Sequence, residues 1–248
     1  MKKRVKILIT NDDGIFGLGL VPLVEELCKI GEVLVIVPEK EMSATSHSLS
    51  LLSPVRVRLT KYHNRDIYLV SGTPADCVRL GFIEFQKHKT DIVVAGINQG
   101  ANLGQDVIYS GTVAAAREAT FLGIPGVAVS LVGSGDYKKV SYITTKIVQK
   151  VLEKKFYGLL NVNFPSGKIK GIKVTTLGDR RYKNIVHRKK DPTGMPYYWL
   201  KSSLLKNSSD RKDTDVYAIE NRYVSITPIL NDLTDKIGCS LLKKMFNE

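Results

Sequence analysis

Near the start of the chain, the apolar and β-branched run Val5 to Thr10 stops abruptly in Asn11-Asp12-Asp13-Gly14. A short run of this kind reads as a strand buried on both faces, and an amphipathic helix is expected from about Leu18. In open α/β sheets, ligands bind beyond the carboxyl ends of the strands, so Asp12 and Asp13 stand where chemistry is expected. Two adjacent carboxylates repel, and a cation shared between them offsets that cost. The plainer alternative is a turn, since Asn, Asp and Gly are the ordinary turn residues.

Strands and helices alternate through the first two-thirds of the sequence. Val33–Val37 is a second buried strand, stopped by Pro38 and followed by a hydroxyl-rich loop carrying Ser43, Ser46 and His47. Leu49–Leu59 reads as extended, and Ile67–Val70 as a short strand. Thr73-Pro74-Ala75-Asp76 has the form of a capped helix start. Asp91–Ala95 is the third strong strand, opening onto a glycine-rich loop with Asn98 and Asn102. Ser110-Gly111-Thr112 then leads into the helix-forming run Val113 to Ala119. A helix N-terminus of this kind is suited to an anion, while neither a dinucleotide glycine fingerprint nor a P-loop lysine is present. Val127–Ser130, a helix over about 137–156 and Leu160–Phe164 continue the pattern. Past Pro165 the character changes. Ile172–Leu177 reads as a strand, 179–215 as a polar loop, Tyr217–Ile219 and Tyr223–Thr227 as strands, and about 234–245 as a terminal helix.

The expected fold is therefore α/β: a Rossmann-like three-layer core with a mostly parallel sheet over 1–165. A C-terminal β-rich arm and terminal helix over 166–248 extend it. A long polar loop between strands does not pack on itself alone, so the arm is expected to exchange between subunits.

The 248 residues carry a formal charge of +13, all of it attributable to 138–190, where 15 Lys or Arg face only Glu153 and Asp179. Such a patch attracts anions without specifying a sequence, so specific nucleic-acid recognition is not expected. Lys146, Lys150 and Lys154 are spaced as one solvated helix side. Cys28, Cys77 and Cys239 are widely separated and form no CxxC pair. With no apolar run of membrane-spanning length and no leader-like segment after the basic start, the expectation is a cytoplasmic protein and no membrane partner.

The loops after the first, second and third strong strands offer Asp12 with Asp13, Ser43 with Ser46, and Asn98 with Asn102. All are oxygen donors, suited to one divalent Mg²⁺ or Mn²⁺ ion rather than zinc. A hard cation beside a phosphate-holding helix N-terminus points to phosphoester chemistry. A phosphoaspartyl phosphatase would need an Asp two residues after its nucleophile, and Gly14 stands there.

Four stretches now carry a resemblance to a known family. These are Ile9–Gly14, Ser71–Val78, Gly96–Asn98 through Tyr109–Ala115, and Tyr223–Pro228. Together they resemble the SurE family of metal-dependent 5′/3′-nucleotidases. The resemblance implies hydrolysis of nucleoside monophosphates, with short polyphosphate as a further substrate, and assembly into a homodimer or tetramer through the C-terminal arm. It puts metal ligands at Asp12, Asp13, Ser43 and Asn98, with Asp12 and Asp13 also catalytic. Substrate contacts fall at Asn102, Ser110, Gly111 and Thr112, and Asn11 and Ser46 join them as neighbours in the same loops. The chain departs from the family's usual pattern in Phe16-Gly17-Leu18-Gly19 and in Gln105, where an acid is common. A non-catalytic nucleotide- or RNA-binding regulator is the competing reading of the same residues.

Overall fold

The computed structural model describes residues 4–205 and 211–246. Its strands are β1 (Val5–Thr10), β2 (Gly31–Pro38), β3 (Val57–Tyr62), β4 (Arg65–Val70), β5 (Ile92–Gln99), β6 (Gly126–Leu131) and β7 (Leu159–Phe164), followed by β8 (Gly171–Val174), β9 (Tyr182–Lys190), β10 (Pro196–Leu204) and β11 (Tyr223–Ile229). The helices are α1 (Leu20–Leu27), α2 (Pro74–Leu80), α3 (Gly111–Phe121), α4 (Tyr137–Glu153), α5 (Asp215–Glu220) and α6 (Lys236–Met245). Nine strands form one sheet in the order β3-β4-β2-β1-β5-β6-β7-β11-β8. Pairing is parallel except at β3–β4 and β7–β11.

Alternate residues of the central strands feed two separate cores. Ile7, Ile9, Val35, Val37, Ile92 and Val94 face the layer of α1 and α4, with Leu20, Leu23, Val148 and Val151. Leu8, Ile36, Val93, Ala95 and Ala128 face α2 and α3, with Cys77, Val113, Ala115 and Ala119. Burial on both faces is why these strands are apolar throughout instead of alternating. The small residues of α3 let it lie close on the sheet. A Cβ on Gly126 of β6 would come within 1.9 Å of the Ala116 carbonyl oxygen.

The chain leaves β1 for β2 and β4 on one side, then returns to place β5 on the other side of β1. The direction of winding therefore reverses between β1 and β5, and a crevice opens beyond their carboxyl ends.

Four sequence expectations are corrected. Helix α1 begins at Leu20, two residues later than expected, because residues 14–19 turn tightly; a Cβ on Gly19 would meet Ile97 at 2.5 Å. Within Leu49–Leu59 only Val57 onward pairs, since the segment before it hydrogen-bonds to the α2 cap through Ser48 and Ser50. Tyr217–Ile219 is helical, not extended. Thr214 caps α5 by accepting from the Tyr217 N–H at 3.2 Å, and a capped start outweighs β-favouring side chains over so short a segment. The polar stretch 179–215 is not a loop over its described residues: β9 and β10 form a two-stranded antiparallel hairpin turned at Asp191–Gly194. Beyond it, β11 inserts between β7 and β8, so the C-terminal segment completes the main sheet.

Candidate active site

Three loops meet at the crevice. The turn after β1 is braced from within by Asn11, whose Nδ2 donates to the Gly14 carbonyl at 2.8 Å while its Oδ1 accepts from the Gly14 N–H at 3.1 Å. Gly14 has φ +75°, a left-handed value that favours glycine. The brace throws the two carboxylates outward in different directions. Asp12 is buried and accepts from the Thr112 hydroxyl at the start of α3. Its main-chain oxygen takes the Met42 N–H at 2.8 Å, stitching the β1 turn to the loop after β2. Gly111 leaves room for this contact, because a Cβ there would sit 3.0 Å from the Asp12 Cβ.

Asp13 faces a cavity of about 370 Å³ whose walls include Glu41, Ser43 and Gln99. Its Oδ2 is buried and has no hydrogen-bond partner among the described residues. Ser43 donates to Glu41 Oε1 at 2.7 Å. Asn98 donates from Nδ2 to the Gly100 carbonyl at 3.1 Å. Burial first, and then the neighbouring charge of Asp12, push the Asp13 carboxyl up to about 6. Asp12 is raised as well, by burial, against the pull of Thr112. Carboxylates held so close destabilise one another, and an unpartnered buried carboxylate oxygen beside them fits a divalent cation. Asp13 and Ser43 line this cavity, whereas Asp12 and Asn98 are not among its lining residues; all four offer oxygen atoms, the ligand type of hard divalent cations. Among the described residues there is no cluster of three or more His, Cys, Asp or Glu side chains of metal-binding type.

The other expected substrate residues divide. Ser110 caps α3, its Oγ accepting from the Val113 N–H at 3.1 Å, so Gly111 and Thr112 stand in the first turn of an eleven-residue helix. Ser46 is tied to the same segment, donating from N to the Tyr109 carbonyl at 3.0 Å and from Oγ to the Ile108 carbonyl at 2.7 Å. Asn102 is buried deeper. Its amide nitrogen donates to Ser130 Oγ at 2.8 Å, and its main-chain carbonyl accepts from both Asn161 and Asn163. Asn11 spends both ends of its amide on Gly14, so it shapes the turn and does not face the cavity.

Several supporting residues went unnoticed in the sequence. Glu118 is buried in α3 and accepts from His47 Nε2 at 2.7 Å and Arg79 Nε at 2.5 Å. This ion pair clamps the Ser43–Ser46 loop onto the helix that carries Thr112. Burial pushes the Glu118 carboxyl up, and the bonds from His47 and Arg79 outweigh it, leaving it below its ordinary range. Asp215 accepts from the Gly104 and Gly178 N–H groups at 2.8 and 2.7 Å and pins the far end of the glycine-rich loop. The available signals were an acid in an alanine-rich helix and two asparagines in the apolar run Leu160–Phe164.

A mostly parallel, doubly wound sheet with helices on both faces, and with paired carboxylates and a helix N-terminus beyond its strand ends, defines an α/β protein of three-layer architecture. The family model described as "Survival protein SurE" matches residues 7–184. The 5′-nucleotidase SurE of Thermoanaerobacter sp. is 44% identical over 238 residues, covering 93% of this chain and 94% of that one. The protein of the same name from Geotalea daltonii is 44% identical over 248 residues, covering 97% and 98%. The crystal structure of the SurE protein from Aquifex aeolicus superposes with a TM-score of 0.83 at 39% identity, covering 97% of this chain and 99% of that one. The chain belongs to the SurE family, and membership implies a divalent metal cation.

Proposed function

We propose that the protein hydrolyses nucleoside 5′- and 3′-monophosphates to nucleoside and phosphate, using one Mg²⁺ or Mn²⁺ ion per subunit. The observation that carries this reading is the partnerless, buried Oδ2 of Asp13 beside Asp12, whose carboxylate accepts from Thr112 in the first turn of α3. Relatives named 5′-nucleotidase SurE, 39–44% identical, support the same activity. Asp12, Asp13, Ser43 and Asn98 would hold the cation. When bound, it supplies positive charge against the phosphoryl oxygens and acidifies water. The main-chain N–H groups of Gly111 and Thr112 and the hydroxyl of Ser110 receive the remaining phosphate charge. Thr112 fixes one oxygen of Asp12, leaving the other oriented to accept the proton of the attacking water. Asn102 joins by reversing its amide: Ser130 then donates to Oδ1, and Nδ2 is free for a phosphate oxygen. Short polyphosphate presents the same terminal group to this site.

The three free cysteines suit a reducing cytoplasm. No helix among the described residues is long and apolar enough to cross a membrane. Assembly into a homodimer or tetramer is supported by the C-terminal segment. Every residue of α6 is solvent-facing, including Ile237, Leu241, Leu242 and Met245 along one side, and Trp199 and Leu200 of β10 are equally bare. A helix with an uncovered apolar stripe is stable when a partner covers it. The lysines of α4 lie opposite its buried stripe of Val140, Thr144, Ile147 and Val151 and form a solvated face. The deciding experiment is phosphate release from AMP with Mg²⁺ or Mn²⁺ and with EDTA. Metal-dependent turnover is expected; nucleotide binding without release would favour the regulatory alternative.

A further inference from the structure

A second cavity, of about 390 Å³, is bounded by the second half of α3, the turn before that helix, the segment after β8 and the end of β11. It shares no wall residue with the Asp13 cavity. Val107, Ile108, Leu177, Ile229 and Leu233 make it largely apolar, and its size is usual for small-molecule sites. Three charged side chains stand in its wall, and two of them are matched. Asp179 accepts from Arg181 Nε at 2.9 Å, and Arg211 donates to Asp213 Oδ2 at 2.8 Å and to Thr176 Oγ1 at 2.9 Å. Gln105 is spent as well, accepting from the Arg180 N–H at 2.8 Å and donating to the Arg180 carbonyl. The third charge, Arg117, is different. Its half-buried guanidinium has a buried Nε with no hydrogen-bond partner, and no carboxylate among the described residues pairs with it. Burial alone pulls the group below its ordinary value. Its main chain, by contrast, is fastened: Thr120 Oγ1 donates to the Arg117 carbonyl at 2.6 Å and accepts from Asn231 Nδ2 at 2.7 Å.

We infer that this cavity binds a small organic monoanion, a carboxylate carried on an apolar body, with Arg117 as its charge partner. A cation sunk into an apolar wall without a partner is costly, and an anion brought to it removes that cost. The planar guanidinium fork matches a carboxylate with two parallel hydrogen bonds. Because Asp179 and Arg211 are already paired, one positive charge is left to balance, which a monoanion does and a phosphate dianion overshoots. The five apolar side chains then cover the body of the ligand. None of the residues assigned to the cation or to phosphate takes part, so the inference stands apart from the nucleotidase reading. Arg117 follows Thr112 by five residues on the same helix, about 7.5 Å along its axis. An occupant would therefore bear on the helix that carries both Thr112 and Glu118.

The test is calorimetry of octanoate and of acetate against the full-length protein in EDTA, which keeps a metal ion from serving as the carboxylate's partner. Octanoate is expected to bind more tightly than acetate, by roughly threefold to fourfold for each methylene that the walls cover. Arg117→Met keeps an apolar stem and removes the charge, and it should abolish the binding while remaining folded by circular dichroism. Should that variant fail to fold, Arg117→Lys keeps the charge without the planar fork and should bind octanoate several-fold more weakly than the parent. Octanoate binding that survives unchanged in the substituted protein, or no binding to the parent, overturns the site. So does a parent assembly that comes apart in Arg117→Met during sedimentation, since the guanidinium's partner would then be an acid of a second copy.

Discussion

The crevice beyond β1, β2 and β5 and the outlying pieces of the C-terminal segment, the β9–β10 hairpin and α6, are built on opposite terms. In the crevice the deeply buried polar side chains are committed: Asp12 to Thr112, Glu118 to His47 and Arg79, Asn102 to Ser130. In the hairpin and α6 the apolar side chains are the conspicuous ones, and they are bare, whereas Val216 of α5 and Val224 of β11 are buried. Trp199, Leu200, Leu233 and Ile237 are exposed by 62, 83, 87 and 85%. The first region is completed by its own chain except at the partnerless Oδ2 of Asp13. The second has a folded backbone without a core of its own. Polar groups left unsatisfied mark where a small ligand belongs, and apolar groups left uncovered mark where another protein surface belongs.

That contrast breaks most severely at the carboxylates. Asp12→Asn and Asp13→Asn preserve shape while removing ligand charge, and phosphate release is expected to fall by at least roughly 10²–10⁴-fold at saturating Mg²⁺ or Mn²⁺. In EDTA both variants should melt no lower than the parent, because each relieves repulsion between the pair. Parent-like turnover in either would reduce the motif to a turn.

The next largest effect concerns the arm. Placing Asp at both Ile237 and Leu241 should convert the assembled protein to monomer in sedimentation while leaving the α/β core folded by circular dichroism. A parent protein that already sediments as a monomer refutes assembly through α6.

A smaller loss is expected at the clamp between loop and helix. Glu118→Gln keeps one acceptor for two donors, so stability should fall by about 1–3 kcal/mol, read from denaturant midpoints. The metal concentration needed for half-maximal activity should rise as well, because the Ser43 loop is no longer fastened to α3. A stability loss with unchanged metal requirement would make the clamp purely structural.

The smallest effect sharpens the electrostatic side. The Asp13 carboxyl lies near 6 in the folded chain and near 4 when unfolded. Between those values the native state binds more protons, so the metal-free protein should lose stability as pH rises from about 4 to 6 and change little from this source above that. Partial solvent screening holds the loss to about 1 kcal/mol. Thermal melts in EDTA would show it, and Asp13→Asn should flatten the slope to the part that the buried Asp12, also raised, contributes. A slope of opposite sign would mean that the site's donors already satisfy the charge.

Legibility in the sequence followed the same division. Strands β1, β2, β5 and β6 were readable because each is buried on both faces, leaving a mostly apolar run between polar loops; β7 shares that burial with Asn161 and Asn163 set into it. The loop ends followed from the parallel sheet, which is why Asp12, Ser43 and Asn98 could be grouped before any geometry was known. Position along the chain carries no record of a bond such as Glu118 to His47, 71 residues apart, so the clamp stayed hidden. The hairpin was missed because β9 is mostly Lys, Arg and polar residues and β10 runs Tyr197, Tyr198, Trp199 and Leu200 together, so neither strand alternates; one-sided burial, the usual origin of alternation, is absent there. Helix α5 failed for a different reason: six residues are too few to display a period.

Strand β1 is flanked by β2 and β5, yet β5 ends only at Gln99. At synthesis rates of about 5–20 residues per second, one edge of the first strand therefore waits roughly 5–20 s for its neighbour on the ribosome. Throughout that interval the nascent chain exposes a flat, apolar edge capable of pairing with strands from other molecules. The arrangement that brings Asp12 and Asn98 together at the switch point thus makes the newborn polypeptide a natural client for chaperones that shield unpaired strands.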